Sequence, residues 1–127
     1  MSAILLSINP EHVENIFNGT KKYEFRKVRC RKHVTKILIY STHPVMKIVG
    51  EAVVKNVLEH TPNELWNMTS DSSGIDRVFF DNYFEGREKA IAYELVNIMK
   101  YDCAKELSDI GLSAAPQSFA YVDPAWM

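Results

Sequence analysis

Three side chains spaced along Gly19-Thr20-Lys21-Lys22-Tyr23-Glu24-Phe25-Arg26 could do chemistry: the amine of Lys21, the carboxylate of Glu24 and the guanidinium of Arg26. An amine acts as nucleophile or base only after losing its proton, which near neutral pH requires desolvation or nearby positive charge. Lys22 and Arg26 can supply the charge. Glu24 works the other way, since a carboxylate beside Lys21 keeps the ammonium charged and makes the pair a binding device. Arg26 offers a planar fork suited to a phosphate or a base edge, and an internal ion pair with Glu24 or Glu51 is compatible with that role. Without a ligand, the same residues are a partly exposed strand ion pair worth at most about 1 kcal/mol.

Charge gathers around this segment. Residues 19–36 hold eight of the fifteen Lys and Arg residues and one acid, so they carry +7 while the rest of the chain carries −8, within a net charge of −1. A patch of this kind favours anionic partners, phosphates foremost, with a solvated basic loop as the alternative. Lys22, Arg29, Arg31 and Lys32, continued by Lys36, form the expected phosphate-steering rim. Tyr40, Trp66 and Phe119 are rings that could stack on a base, against the competing role of core packing. Ser41, Gln117 and Ser118 are short polar groups beside apolar strands, placed to hydrogen-bond a base or a loop backbone. His12, His33, His43 and His60 fall on separate elements without a partner pattern and are assigned no chemistry.

Cys30 and Cys103 have no Cys-x-x-Cys or His-x-x-x-His companion, so neither a disulfide framework nor a metal site is predicted, and no cofactor is expected. A reducing cytoplasm is the plain reading. Apolar runs such as Ile37-Leu38-Ile39-Tyr40 fall far short of the roughly 20 residues that span a bilayer. With 127 residues, 46% of them hydrophobic, the expectation is one domain over residues 1–127.

The elements that must position these groups follow from pattern and punctuation. Ile4 to Ile8 is a short apolar run ended by Asn9-Pro10, a helix start, and Val13, Ile16 and Phe17 then fall at helical spacing before Gly19. Alternation from Lys22 to Arg26 predicts a half-buried strand with Tyr23 and Phe25 on one side and Lys22, Glu24 and Arg26 on the other. A basic turn over Arg29 to His33 leads to strands at Lys36 to Ser41 and Lys47 to Val57, the latter with Gly50 where a bulge or close backbone approach is common. Thr61-Pro62-Asn63-Glu64 is a capping box, residues 69–74 a polar loop, and Asp76 to Phe84 a short helix. Lys89 to Tyr101 suits a long strand with helix as the alternative; a turn of helix closes at Gly111, and Gln117 to Val122 is a last strand. The order predicts an α+β fold, a small curved β-sheet or pseudo-barrel of about six strands with short helices. Phosphate-cradling glycine loops and the G-x-S-x-G elbow are absent.

The run Gly19-x-Lys21-x-x-Glu24-x-Arg26, after a strand and helix and before a basic turn, resembles the signature of the ASCH domain family of the PUA-like superfamily, in its small stand-alone bacterial, archaeal or phage type. Tyr40-Ser41, Val49-Gly50-Glu51 and Pro116-Gln117-Ser118-Phe119 continue the resemblance along nearly the whole chain. It implies a β-barrel-like fold with a cleft beside the motif that accommodates RNA or a modified nucleobase or nucleoside. Some small bacterial members are amidohydrolases that deacetylate N4-acetylcytidine, using a motif lysine with a threonine three residues later and a glutamate elsewhere. Here Lys21 is kept and Glu24 stands where that threonine would be.

The resulting expectation is a module that recognises RNA or a modified nucleoside through Lys21, Glu24, Arg26, Tyr40, Ser41, Gln117 and Ser118. The alternative is a hydrolase, amidohydrolase or ribonuclease, using Lys21 with Glu24 or Glu51.

Overall fold

Asn9 and Pro10 turn the first strand into the first helix: the Asn9 side chain accepts from the Glu11 N–H, and Pro10 occupies the first helical position, where no amide hydrogen is needed. In the computed structural model, which describes residues 2–123, the chain runs β1 (Ser2–Ile8), α1 (Pro10–Phe17), β2 (Tyr23–Arg26), β3 (Val34–Ser41), β4 (Lys47–His60), α2 (Pro62–Thr69), α3 (Arg77–Tyr83), β5 (Ala90–Lys105) and β6 (Phe119–Val122). The capping box at Thr61 and Glu64 starts α2 as expected. β4 and β5 run longer than their composition suggested, because they pair antiparallel from Ile48 with Lys105 to His60 with Ala90 and so satisfy each other's backbone groups.

The strands form one six-stranded sheet in the order β2-β5-β4-β3-β1-β6. β1 and β3 are parallel; the other neighbours are antiparallel. Arg26 on β2 donates to the Ser7 carbonyl on β1 at 3.0 Å and to Ser118 Oγ, just before β6, at 3.3 Å. The Tyr121 hydroxyl on β6 accepts the N–H groups of Arg31 and Lys32 from the turn after β2. Both edges of the sheet are thereby drawn together, which makes the mixed fold a pseudo-barrel of the expected kind.

Packing divides into three clusters. Ile4, Leu6, Val13, Ile16, Ile37 and Tyr93 belong to the largest, which joins α1 to one face of the sheet. Leu5, Leu38, Tyr40 and Ile48 alternate to the opposite face and meet Ile110. Phe25, Leu65, Phe80 and Phe84 join α2 and α3 to β2 and β5, and Tyr23 packs against them. Each fully buried side chain of this size is worth about 1.5–3 kcal/mol. Glu24 and Arg26 are opposite Tyr93 and Ile91 in the β2–β5 register, so they point to the side of the largest cluster. The predicted division of β2 into an apolar and a charged side is what the fold contains.

Gly50 marks a close approach, as its place in the strand suggested. A Cβ there would lie 2.5 Å from the Met99 carbonyl oxygen and 2.7 Å from the Phe17 ring. Residues 69–74 depart from the expected polar loop: Ser70–Ser72 form a 3-10 turn and Thr69 and Ser73 are buried. The physical reason is a partner, since Lys21 and Ser73 form an isolated β-bridge and the Lys22 N–H donates to the Ser72 carbonyl.

Candidate functional site

α1 ends where the chain must reverse, and Gly19 takes φ +88° to let it do so. The Lys21 N–H then donates to the Asn15 carbonyl, which fixes Lys21 between α1 and the Ser72–Gly74 turn. Gly74, at φ +70°, lies so close that a Cβ there would sit 2.4 Å from Lys21 Cβ. Between α1, β2 and α3 this leaves a cavity of about 290 Å³ whose wall includes His12, Lys21, Glu24, Arg26, Phe79 and Tyr83.

Only 2% of Lys21 is exposed. Its Nζ donates to the Ser73 carbonyl at 3.1 Å, stands 3.7 Å from Glu24 Oε1 and lies 4.8 Å from the centre of the Phe25 ring. Burial lowers its pKa below the usual lysine range; Glu24 opposes this through charge and a hydrogen bond, and the Arg26 charge adds to it. Glu24 cannot compensate Lys21 alone because it also serves Arg26, whose Nη2 donates to Oε2 at 2.7 Å. One carboxylate therefore holds two cations, a buried Lys21 and a part-buried Arg26. That arrangement suits an electron-rich group, a carbonyl or ring nitrogen, better than a second cation.

His12, to which the sequence pattern assigns no chemistry, lines the cavity. It lies in the first turn of α1, edge-on to Phe79 at a ring separation of 5.3 Å. Burial lowers its pKa, helped by the charges of Lys21 and Arg26 and opposed by Glu24 and Glu11. A usable signal was its position four residues before Ile16, on the margin of the apolar face of α1. Tyr83 and Lys27 were missed too: Tyr83 forms part of the cavity wall, and Lys27 Nζ lies 4.7 Å from the centre of its ring. Burial raises the pKa of Tyr83, keeping its hydroxyl protonated as a donor. Ser73 and Gly74 were hidden in a segment whose composition signals only a loop.

Of the predicted site residues, Lys21, Glu24 and Arg26 converge on this cavity, and Ser118 reaches it through its hydroxyl contact with Arg26. Tyr40 is buried with Leu5, Leu38 and Ile48. Ser41 borders a separate, largely apolar cavity of about 450 Å³ between α1 and β4, with Phe17, Val49 and Lys100. Gln117 is exposed beside Ser118. Glu51 is held elsewhere, accepting from Lys36 at 2.7 Å and from the Tyr101 hydroxyl at 2.8 Å. In the basic rim, Lys22 and Arg31 are exposed, Arg29 stands 3.6 Å from Glu59, and Lys32 lies over the Tyr121 ring. Trp66 packs against Phe80 at 5.0 Å. Among the described residues no group of three or more His, Cys, Asp and Glu side chains is gathered as a metal site would need, and no helix is long and apolar enough to cross a membrane.

The family described as a domain of unknown function (DUF365) matches residues 1–113. A Zymomonas mobilis protein named ASCH domain-containing ribonuclease is 32% identical over 92 residues, 72% of this chain and 62% of that protein. A Ureaplasma parvum protein named ATP synthase subunit alpha is 32% identical over 94% of this chain, which spans 15% of its length. The chain thus covers less than two thirds of either protein. The crystal structure of ASCH from Zymomonas mobilis superposes with a TM-score of 0.88 at 25% identity, covering 98% of this chain and 90% of that one.

Proposed function

The chain belongs to the DUF365 family and is an ASCH domain of PUA-like fold, and on that premise we propose that its Lys21-Glu24-Arg26 cavity recognises RNA or a nucleoside. The observation that carries this reading is that buried Lys21 and part-buried Arg26 share one carboxylate in the wall of an open cavity. Lys21 and Arg26 thereby present cationic hydrogen-bond donors to a space of about 290 Å³, near the low end for small-molecule sites. Gel-shift and calorimetric titration with short single-stranded RNAs and with nucleosides test it. Lys21→Ala is expected to weaken binding at least tenfold while circular dichroism stays native. Absence of binding at low salt, or binding untouched by Lys21→Ala, would sink it.

A second reading is a hydrolase, either an amidohydrolase on an N4-acetylated cytidine or a ribonuclease. It is favoured by the lowered Lys21 pKa, which brings the amine nearer to the free-base form a nucleophile needs, and by the name of the Zymomonas relative. Incubation with N4-acetylcytidine and with single-stranded RNA, beside Lys21→Ala, decides it by product formation.

A further inference from the structure

The cavity of about 450 Å³ between α1 and β4 shares no residue with the Lys21 cavity. One face of α1 supplies Pro10, Val13, Glu14 and Phe17 to it, at the i, i+3, i+4, i+7 spacing of a helical stripe, whereas Glu11 and His12 serve the Lys21 cavity from off that stripe. Its size falls within the range of small-molecule sites. Three polar groups border this mostly apolar space. Ser41 is 2% exposed. Its place in β3, in step with Ile37 and Ile39 and out of step with Tyr40, turns its hydroxyl to the α1 side. That hydroxyl makes no hydrogen bond among the described residues, yet unlike Arg26 Nε and His12 Nδ1 it is not sealed from solvent. Glu14 and Lys100 are exposed at the mouth, and neither is in an ion pair among the described residues. Both flank Phe17: Glu14 lies three residues before it, a neighbouring position on the helix surface, and Lys100 Nζ stands 5.8 Å from the centre of its ring. β4 separates β3 from β5, which puts Ser41 and Lys100 two strand spacings apart, about 10 Å.

We propose that this cavity binds a free amino acid whose side chain is apolar along its length and ends in a hydrogen-bonding group, tyrosine being the type. Lys100 takes the carboxylate and Glu14 the ammonium. The ring then runs past Val13 and Val49, and the phenol pairs with the Ser41 hydroxyl at the far end. An anion alone is repelled by Glu14 and a cation alone by Lys100, so the two charges together select a zwitterion over either. An amino acid of the same shape without the polar tip leaves the Ser41 hydroxyl covered and unpaired, which is unfavourable. The proposal is independent of what the Lys21 cavity binds.

Calorimetric titration of the whole chain with tyrosine, tyramine, 3-(4-hydroxyphenyl)propionate, N-acetyltyrosine amide and phenylalanine tests it. Tyrosine is expected to bind. Tyramine lacks the carboxylate, hydroxyphenylpropionate the ammonium and the amide both charges, and each should bind roughly tenfold more weakly or worse, as for loss of a charge-assisted hydrogen bond. Phenylalanine should be several-fold weaker than tyrosine, and Ser41→Ala should erase that difference. Lys100→Met and Glu14→Gln, both at exposed positions, should each weaken tyrosine roughly tenfold, and Glu14→Gln should strengthen hydroxyphenylpropionate by removing the like charge. No heat with tyrosine at millimolar concentration overturns the proposal, as does tyrosine binding no better than its singly charged analogues. Equal binding of the amide overturns it in favour of an apolar side chain of a protein partner. Tyrosine affinity unchanged in a Glu14→Gln, Lys100→Met double variant overturns it by moving the ligand to another place on the chain.

Discussion

Glu24 on β2 and Glu51 on β4 each hold a lysine, one inside the protein and one near its surface. Lys21 and Glu24 side chains are 2% and 7% exposed, Lys36 and Glu51 30% and 21%. Around Glu51, burial pushes the carboxyl pKa up, but hydrogen bonds from Lys36 and Tyr101 with the charges of Lys36 and Lys105 outweigh it, and the pKa ends below the usual carboxylate range. Around Lys21 burial is the largest influence and prevails over Glu24, which is shared with Arg26. The same pairing chemistry gives an ordinary stabilising contact where water reaches it and a perturbed amine where water does not.

The largest test of that contrast is removal of each acid. Glu24→Ala leaves two cations buried together and is expected to destabilise by about 3–5 kcal/mol, read as a shift of the urea midpoint, against about 1 kcal/mol or less for Glu51→Ala. Equal costs would erase the distinction. Next, Gly74→Ala places a methyl against Lys21 at a backbone angle that favours glycine, and about 3 kcal/mol is expected. Gly86→Ala has φ +76° but open space around the added carbon, so only about 1 kcal/mol of backbone strain should appear in the same melts. Smaller effects should be seen in the pH dependence of unfolding. Lys21 has a folded pKa below 10.5, so between the two values the unfolded chain keeps a proton that the folded one has lost, and stability rises with pH there. Lys21→Met should abolish that rise. Glu51 has a folded pKa below 4.5, so its contribution is present above 4.5 and is lost as pH falls; Glu51→Gln should flatten the acid limb of the curve.

Local rules made much of this legible. Alternation along Tyr23 to Arg26 placed Glu24 and Arg26 on the side away from the aromatic cluster, and the Asn9-Pro10 and Thr61-Glu64 signals placed two helix starts. Identity of the cavity's other walls was not legible, since His12, Ile75 and Phe79 reach it from segments far from β2 in the chain, and no period or motif links them to it. Glu51 illustrates the same limit. It was a plausible partner for Lys21 by residue type, yet the register of β4 against β3 gives it to Lys36 and Tyr101. Tyr40 and Ser41, adjacent in sequence, are divided by strand alternation between the second cluster and the rim of the apolar cavity.

Arg26 closes the seam between the two sheet edges with the same guanidinium that walls the cavity. Occupancy of the cavity and closure of the seam therefore draw on one set of hydrogen bonds. A ligand that tightens Arg26 in place is expected to slow amide exchange along β6, and one that recruits Arg26 away from Ser7 and Ser118 to speed it, which hydrogen exchange on β6 would read.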